Sequence, residues 1–223
     1  EASKQLLKYY RNHVNAKHLN SKFAGKKVNQ NTLELANDIL LHKFKPHKGY
    51  PAFDYGKDIN WQYRPVKDQL LTTFLHRTAF WEPLGIVYQS TGDEQYAKEW
   101  IFQVRDWIKK NKEGAYADDK NFAWKAFVVS FRLNHWSDYF NMFINSPHFT
   151  PAFLMEFLNS YNEQANFVMN NYTDIGNHRL FEALHMMYAG SSFPEMKEAI
   201  SWRKGGIVIL NEEIKKQILP DGV

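Results

Sequence analysis

The 223-residue chain is 44% hydrophobic and 16% aromatic, with 7 Trp, which is enough for one domain with a sizeable core. It has no Cys, so disulfides, thiolate nucleophiles and Cys-based zinc sites are excluded, and no apolar run approaches the roughly 18 residues that a membrane span needs. The net charge of +4 is uneven: residues 1–60 hold 11 Lys and Arg against 5 Asp and Glu, pointing either to a polyanionic partner, with nucleic acid and sulfated polysaccharide both qualifying, or to a solvated basic face.

In chain order the elements read as helices. Leu6, Leu7, Tyr10 and Val14 fall at helical spacing. A second helix is predicted from about Thr32, capped by Asn31, with Leu33, Ala36, Ile39 and Leu40 on its apolar face. An irregular, aromatic stretch follows from 45 to 65, with Pro46, Gly49, Pro51, Gly56 and Pro65 among Tyr50, Phe53, Tyr55, Trp61 and Tyr63. A loop of this length is usually functional. A helix is predicted from about Asp68 to Ser90, kinked or broken at Pro83. After the turn Thr91-Gly92-Asp93, a further helix places Tyr96, Trp100, Val104, Trp107 and Ile108 on one face. Residues 114–119 read as a turn, and 123–143 as an aromatic-rich helix. Thr150-Pro151 is a helix start, a cap followed by Pro at the first position. Further helices are expected from about Asn177 to Tyr188 and from Glu195 or Ser201 to Leu219. No strand pair is expected, and the fold class is all-α, with successive helices packing as antiparallel hairpins. The many aromatics would fill the core or line a groove that stacks on sugar rings.

The segment around Gly176 carries the most chemistry. With Gly176 ahead of a helix, Asn177, His178 and Arg179 occupy its first turn, where free N–H groups and the positive end of the helix dipole favour anions. An amide, an imidazole and a guanidinium there suit a carboxylate, although Asn177 could equally be a plain cap. Glu182 lies about 140° around the helix from Asn177 and is a structural candidate. Elsewhere, Lys125 and Arg132 are seven residues apart, on one helix face, and form a candidate cationic pair for sulfate or carboxylate, with Trp124 beside them. Asn60 and Trp61 close the aromatic loop, and Lys43, Lys45, His47 and Lys48 are further sulfate candidates. His42, His76 and His185 show no metal-ligand spacing, so neither a metal nor a cofactor is expected.

The run Gly176-Asn177-His178-Arg179-Leu180-Phe181-Glu182-Ala183 resembles the Asn-His motif of the heparinase III family. Residues 145–161, 46–50, 53–62, 192–195 and 211–217 resemble that family too, so the likeness runs from about residue 5 to the end. It implies an incomplete α/α toroid, with residues 1–223 as its N-terminal part, and a β-sandwich domain following in the family. It also implies elimination at glucosamine–uronate linkages of heparan sulfate, leaving a 4,5-unsaturated uronate. The resemblance makes Asn177 the residue that neutralises the uronate carboxylate, with His178 and Arg179 supporting substrate binding. The family's catalytic Tyr and a further His lie beyond residue 223, and neither Tyr172 nor Tyr188 matches that Tyr. The 223 residues alone are therefore expected to be inactive, and Glu1 in place of Met points to processing or trimming of the start. The partner is expected to be heparan sulfate, not nucleic acid, and the location periplasmic or secreted. An alginate lyase or unsaturated glucuronyl hydrolase of related fold, and a non-catalytic polyanion-binding module, stand as alternatives. A hydrolase would need paired carboxylates beside the aromatic groove, and none is evident.

Overall fold

A computed structural model describes residues 1–12, 28–174 and 176–217. Among these residues the helices are α1 (Ala2–Asn12), α2 (Gln30–Leu40), α3 (Gln69–Arg77), α4 (Glu82–Thr91), α5 (Glu94–Lys110), α6 (Ala126–Phe143), α7 (Pro151–Asn170), α8 (Gly176–Ser192) and α9 (Ala199–Gln217). The all-α expectation holds, with one addition. Inside the aromatic loop, β1 (Lys43–Phe44) and β2 (Phe53–Asp54) pair antiparallel, Phe44 opposite Phe53. Val14 and the residues beyond Gln217 lie outside the described residues.

Local chemistry sets the boundaries. Asn29, two residues before the expected cap, accepts from Thr32 N at 2.8 Å and starts α2. Asp68 caps α3. The predicted 68–90 helix breaks at Thr78, whose left-handed φ of 60° ends α3, and not at Pro83. Pro83 instead sits in the first turn of α4, where its missing N–H leaves no helix bond unmade. Thr150 accepts from Phe153 N at 3.2 Å and starts α7, as its pairing with Pro151 implies.

α6 is the hub, packing against α3, α4, α7 and α8. Of its 18 residues 14 are buried, so it has no broad solvent face. Trp100 of α5 stacks on Phe143 of α6 at 4.6 Å between centroids, and Trp136 packs on Phe157 of α7 at 5.3 Å. All seven Trp are buried, and six donate their indole N–H to partners, among them Asp106 (Trp61), Gln103 (Trp81) and Asn166 (Trp202). The tryptophans therefore make the core and leave no indole to line a groove. Close approach of α8 and α9 depends on two glycines. A Cβ on Gly206 would meet the Ala183 carbonyl and lie 2.8 Å from Met187 N, and one on Gly190 would meet the Ala199 carbonyl.

Candidate active site

Asn177 stands exposed in the first turn of α8, just after Gly176, whose φ of 84° only glycine adopts easily. The strand of chain leading into it is tied down by its own helix. Glu182 is buried and accepts from both Thr173 N and Thr173 Oγ1 at 2.7 Å, and Arg179 Nη1 donates to the Thr173 carbonyl at 3.1 Å. Thr173 is thus gripped from two sides, which fixes where Asn177 begins the helix. Burial raises the Glu182 carboxyl above its usual range, and the Thr173 donors and the Arg179 and Lys125 charges oppose that rise. Glu182 is structural, as its position around the helix implied.

His178 lies flat on Phe127, with ring centroids 3.8 Å apart and planes 19° apart. Burial, then the charges of Lys125 and Arg77, lower its pKa, so the imidazole is neutral at neutral pH. Burial and these two charges make His178 a weak proton acceptor. Lys125, half-buried at the start of α6, is therefore close to His178. Across Phe127 and Phe131 the site continues to Arg77, at the end of α3. Phe131 meets His185 edge-on at 4.4 Å. Ser130 Oγ gives its hydrogen to the Phe127 carbonyl and lies 3.1 Å from His185 Nδ1. The result is a face where a neutral imidazole and Arg77 lie against phenyl rings with Lys125 close by, one residue along α8 from the exposed Asn177 amide. It is suited to an acidic, partly apolar ligand such as a uronate.

A family profile described as Heparinase II/III N-terminus matches residues 1–223. The chain belongs to the heparinase II/III family. The chain is 48% identical to a heparin-sulfate lyase of Pedobacter heparinus and 44% identical to one of Bacteroides stercoris, in each case over its whole length. It spans 35% and 36% of those relatives, about a third of their length. The crystal structure of a heparan sulfate lyase from Pedobacter heparinus superposes with a TM-score of 0.90 at 48% identity, covering all of this chain and 36% of that one. A structure titled heparinase III does so with 0.87 at 29% identity, covering 99% of this chain and 35% of that one.

Within this heparinase II/III chain, five of the sequence-predicted binding residues have other work. Arg132 is fully buried: Nε donates to Gln164 at 2.6 Å, and Nη1 to the His76 and Ala123 carbonyls at 2.9 Å. Its guanidinium lies 4.0 Å over Trp107. The spacing from Lys125 places it on one helix face, but that face is core. Trp124 is 2% exposed and donates to the Asn111 carbonyl at 2.8 Å, and Trp61 is 1% exposed and donates to Asp106 at 2.8 Å. Neither presents a ring face to a ligand. Arg179, besides holding Thr173, approaches Glu213 at 3.4 Å and so braces α8 against α9. Asn60 is exposed, but its Oδ1 accepts from Gln62 N at 3.0 Å and shapes the loop. Lys43, Lys45 and Lys48 line a separate cavity of about 410 Å³ with Phe80 and Pro83. A cavity of about 460 Å³ lined by Arg64, Asp118 and Phe122 shares no residue with the Asn177 face.

Sequence reasoning missed Arg77, Phe127 and Phe131. The only local signals are Phe74 three residues before Arg77 and Phe127 four before Phe131, helical neighbours in each case.

Proposed function

We propose that this chain is the carboxylate-engaging part of a polysaccharide lyase that cleaves glucosamine–uronate linkages of heparan sulfate by β-elimination. The observation that carries the reading is Asn177, exposed at the start of α8 next to His178, whose neutral imidazole feels the charges of Lys125 and Arg77, in a chain that matches the family along its whole length. The C5 proton of a uronate is weakly acidic because the adjoining carboxylate is already negative. An amide donor and nearby positive charge at that carboxylate stabilise the enolate-like transition state. The C5–H electron pair then forms the C4–C5 double bond, and the C4–O bond breaks with a proton delivered to the leaving oxygen.

The groups beside Asn177 are suited to charge stabilisation more than to proton removal. Burial, followed by Glu182, raises the Tyr172 phenol well above its normal range, and Arg179 offsets only part of this. His178 is a poor base for the reasons given above. On this reading the base and the acid come from the parent enzyme's remaining length, and the fold forms part of an incomplete α/α toroid. The test is to complete the chain with the C-terminal remainder of the Pedobacter heparinus relative and supply heparan sulfate, alginate and a neutral polysaccharide. Unsaturated uronate from heparan sulfate supports the proposal. Turnover of alginate alone, or hydrolysis without a new double bond, contradicts it.

A further inference from the structure

Arg77 is held in an unusual way for a surface cation. Its guanidinium carbon lies 4.4 Å from the centre of Phe131, 4.5 Å from Phe74 and 4.9 Å from Phe127. Its backbone is clamped on both sides: His135 Nδ1 bonds the Arg77 carbonyl at 2.9 Å, and Arg132 bonds the His76 carbonyl at 2.9 Å. Nε is buried without a hydrogen-bond partner. The two terminal nitrogens have no protein partner among the described residues and are not buried with Nε, so they keep contact with solvent. Among the described residues no carboxylate pairs with it.

A half-buried charge without an acidic partner is costly, and proteins normally pair such groups. Burial alone pulls the Arg77 pKa down, to about 10, and no neighbouring carboxylate raises it back. The group is still cationic at neutral pH. Three rings stabilise it through cation–π contact, but they satisfy none of its N–H donors. What remains is a planar fork, pre-oriented by aromatic walls, with its outer edge free. That geometry matches the paired oxygens of a carboxylate or sulfate. The Phe127 ring that flanks Arg77 is also the ring on which His178 stacks, so the fork opens one phenyl ring away from the residue beside Asn177.

We propose that Arg77 is a substrate-binding residue that receives an anionic group, carboxylate or sulfate, of the same glycan that Asn177 engages. The inference rests on the lyase reading above. Arg132 then acts at one remove. By holding the His76 and Ala123 carbonyls, it positions both Arg77 and Lys125.

The test uses the 223-residue chain labelled with ¹⁵N at arginine. The Arg77 Nε–Hε resonance is identified by its loss in R77K. Three tetrasaccharides are titrated: one of unsulfated N-acetylglucosamine and glucuronate, its sulfated form, and its carboxyl-reduced sulfated form. The Arg77 resonance should shift with the ligands that bind, and R77K and R77Q should bind about tenfold more weakly, the loss expected for one charge-assisted pair. A shift with the unsulfated sugar identifies the carboxylate as the anion, and a shift only with the sulfated ones identifies sulfate. Should R77Q fail to fold, the wild-type resonance and R77K still decide. Tetrasaccharide binding that leaves the Arg77 resonance unmoved and R77K at wild-type affinity would overturn the role of Arg77 and leave the lyase reading intact. A wild-type chain that binds none of the three overturns that reading, and this inference with it.

Discussion

Replacing Arg132 with Met separates a structural guanidinium from a substrate-binding one. Met roughly keeps the volume and removes the donors. Three acceptors then lose their bonds, at Gln164, His76 and Ala123, in a fully buried setting. Each orphaned buried acceptor costs about 1–3 kcal/mol, so the gross loss is about 3–9 kcal/mol. Removing a buried charge returns part of this, because a desolvated guanidinium is itself expensive. A net loss of about 3 kcal/mol is the reasonable centre, worth about 6–12 °C in Tm for a chain of this size. R132K, able to reach one or two of the acceptors, should fall between Met and wild type. Thermal unfolding followed by circular dichroism reads all three. An R132M chain melting within about 2 °C of wild type, but with weakened glycan binding, would refute the burial argument and restore Arg132 as a surface ligand residue.

Other perturbations follow from the same contacts. His76 is buried, and desolvation, then Arg132 and Arg64, depress its pKa to about 3. The unfolded chain takes up its proton near pH 6.5 and the folded one does not, so stability present above that pH is lost as pH falls toward 3. About 2 kcal/mol should be gone by pH 5, measured by urea unfolding, and H76Q should show a flatter pH slope; an unchanged slope would remove His76 as the cause. Gly206→Ala should destabilise by more than about 2 kcal/mol, because the new methyl meets backbone of α8 that cannot yield; a neutral melting temperature would mean that the two helices can separate freely. Glu182→Gln turns an amide donor toward one of the two Thr173 donors and should cost about 1–3 kcal/mol. In the completed enzyme it should also lower turnover through a displaced Asn177, and full turnover would show that the Thr173 clamp does not set that position.

Much of the helical fold was legible because caps and breakers are local. Thr150-Pro151 and Gly92-Asp93 mark boundaries through their own backbone chemistry, whatever packs around them. Pro83 misled because proline breaks a helix interior yet suits a first turn, and only the left-handed Thr78 shows which applies. Burial was less legible. Heptad spacing put Lys125 and Arg132 on one face but could not say that α6 is enclosed nearly all round. The same limit applies to Trp61 and Trp124, whose rings serve a core or a sugar equally well until neighbours are known. Asn177 was singled out because glycine, helix start and family motif coincide in one short run. Arg77 was not, because its setting is assembled from α3 and α6, about 50 residues apart in sequence.

The most direct test of the account is the effect of Asn177→Ala in the enzyme completed to its relatives' length, with heparan sulfate as substrate and unsaturated uronate followed by its ultraviolet absorbance. If Asn177 stabilises charge that develops only in the transition state, kcat should fall about 100-fold or more while KM changes little. Near-normal kcat, or a loss confined to KM, would contradict the role assigned to the residue at the head of α8.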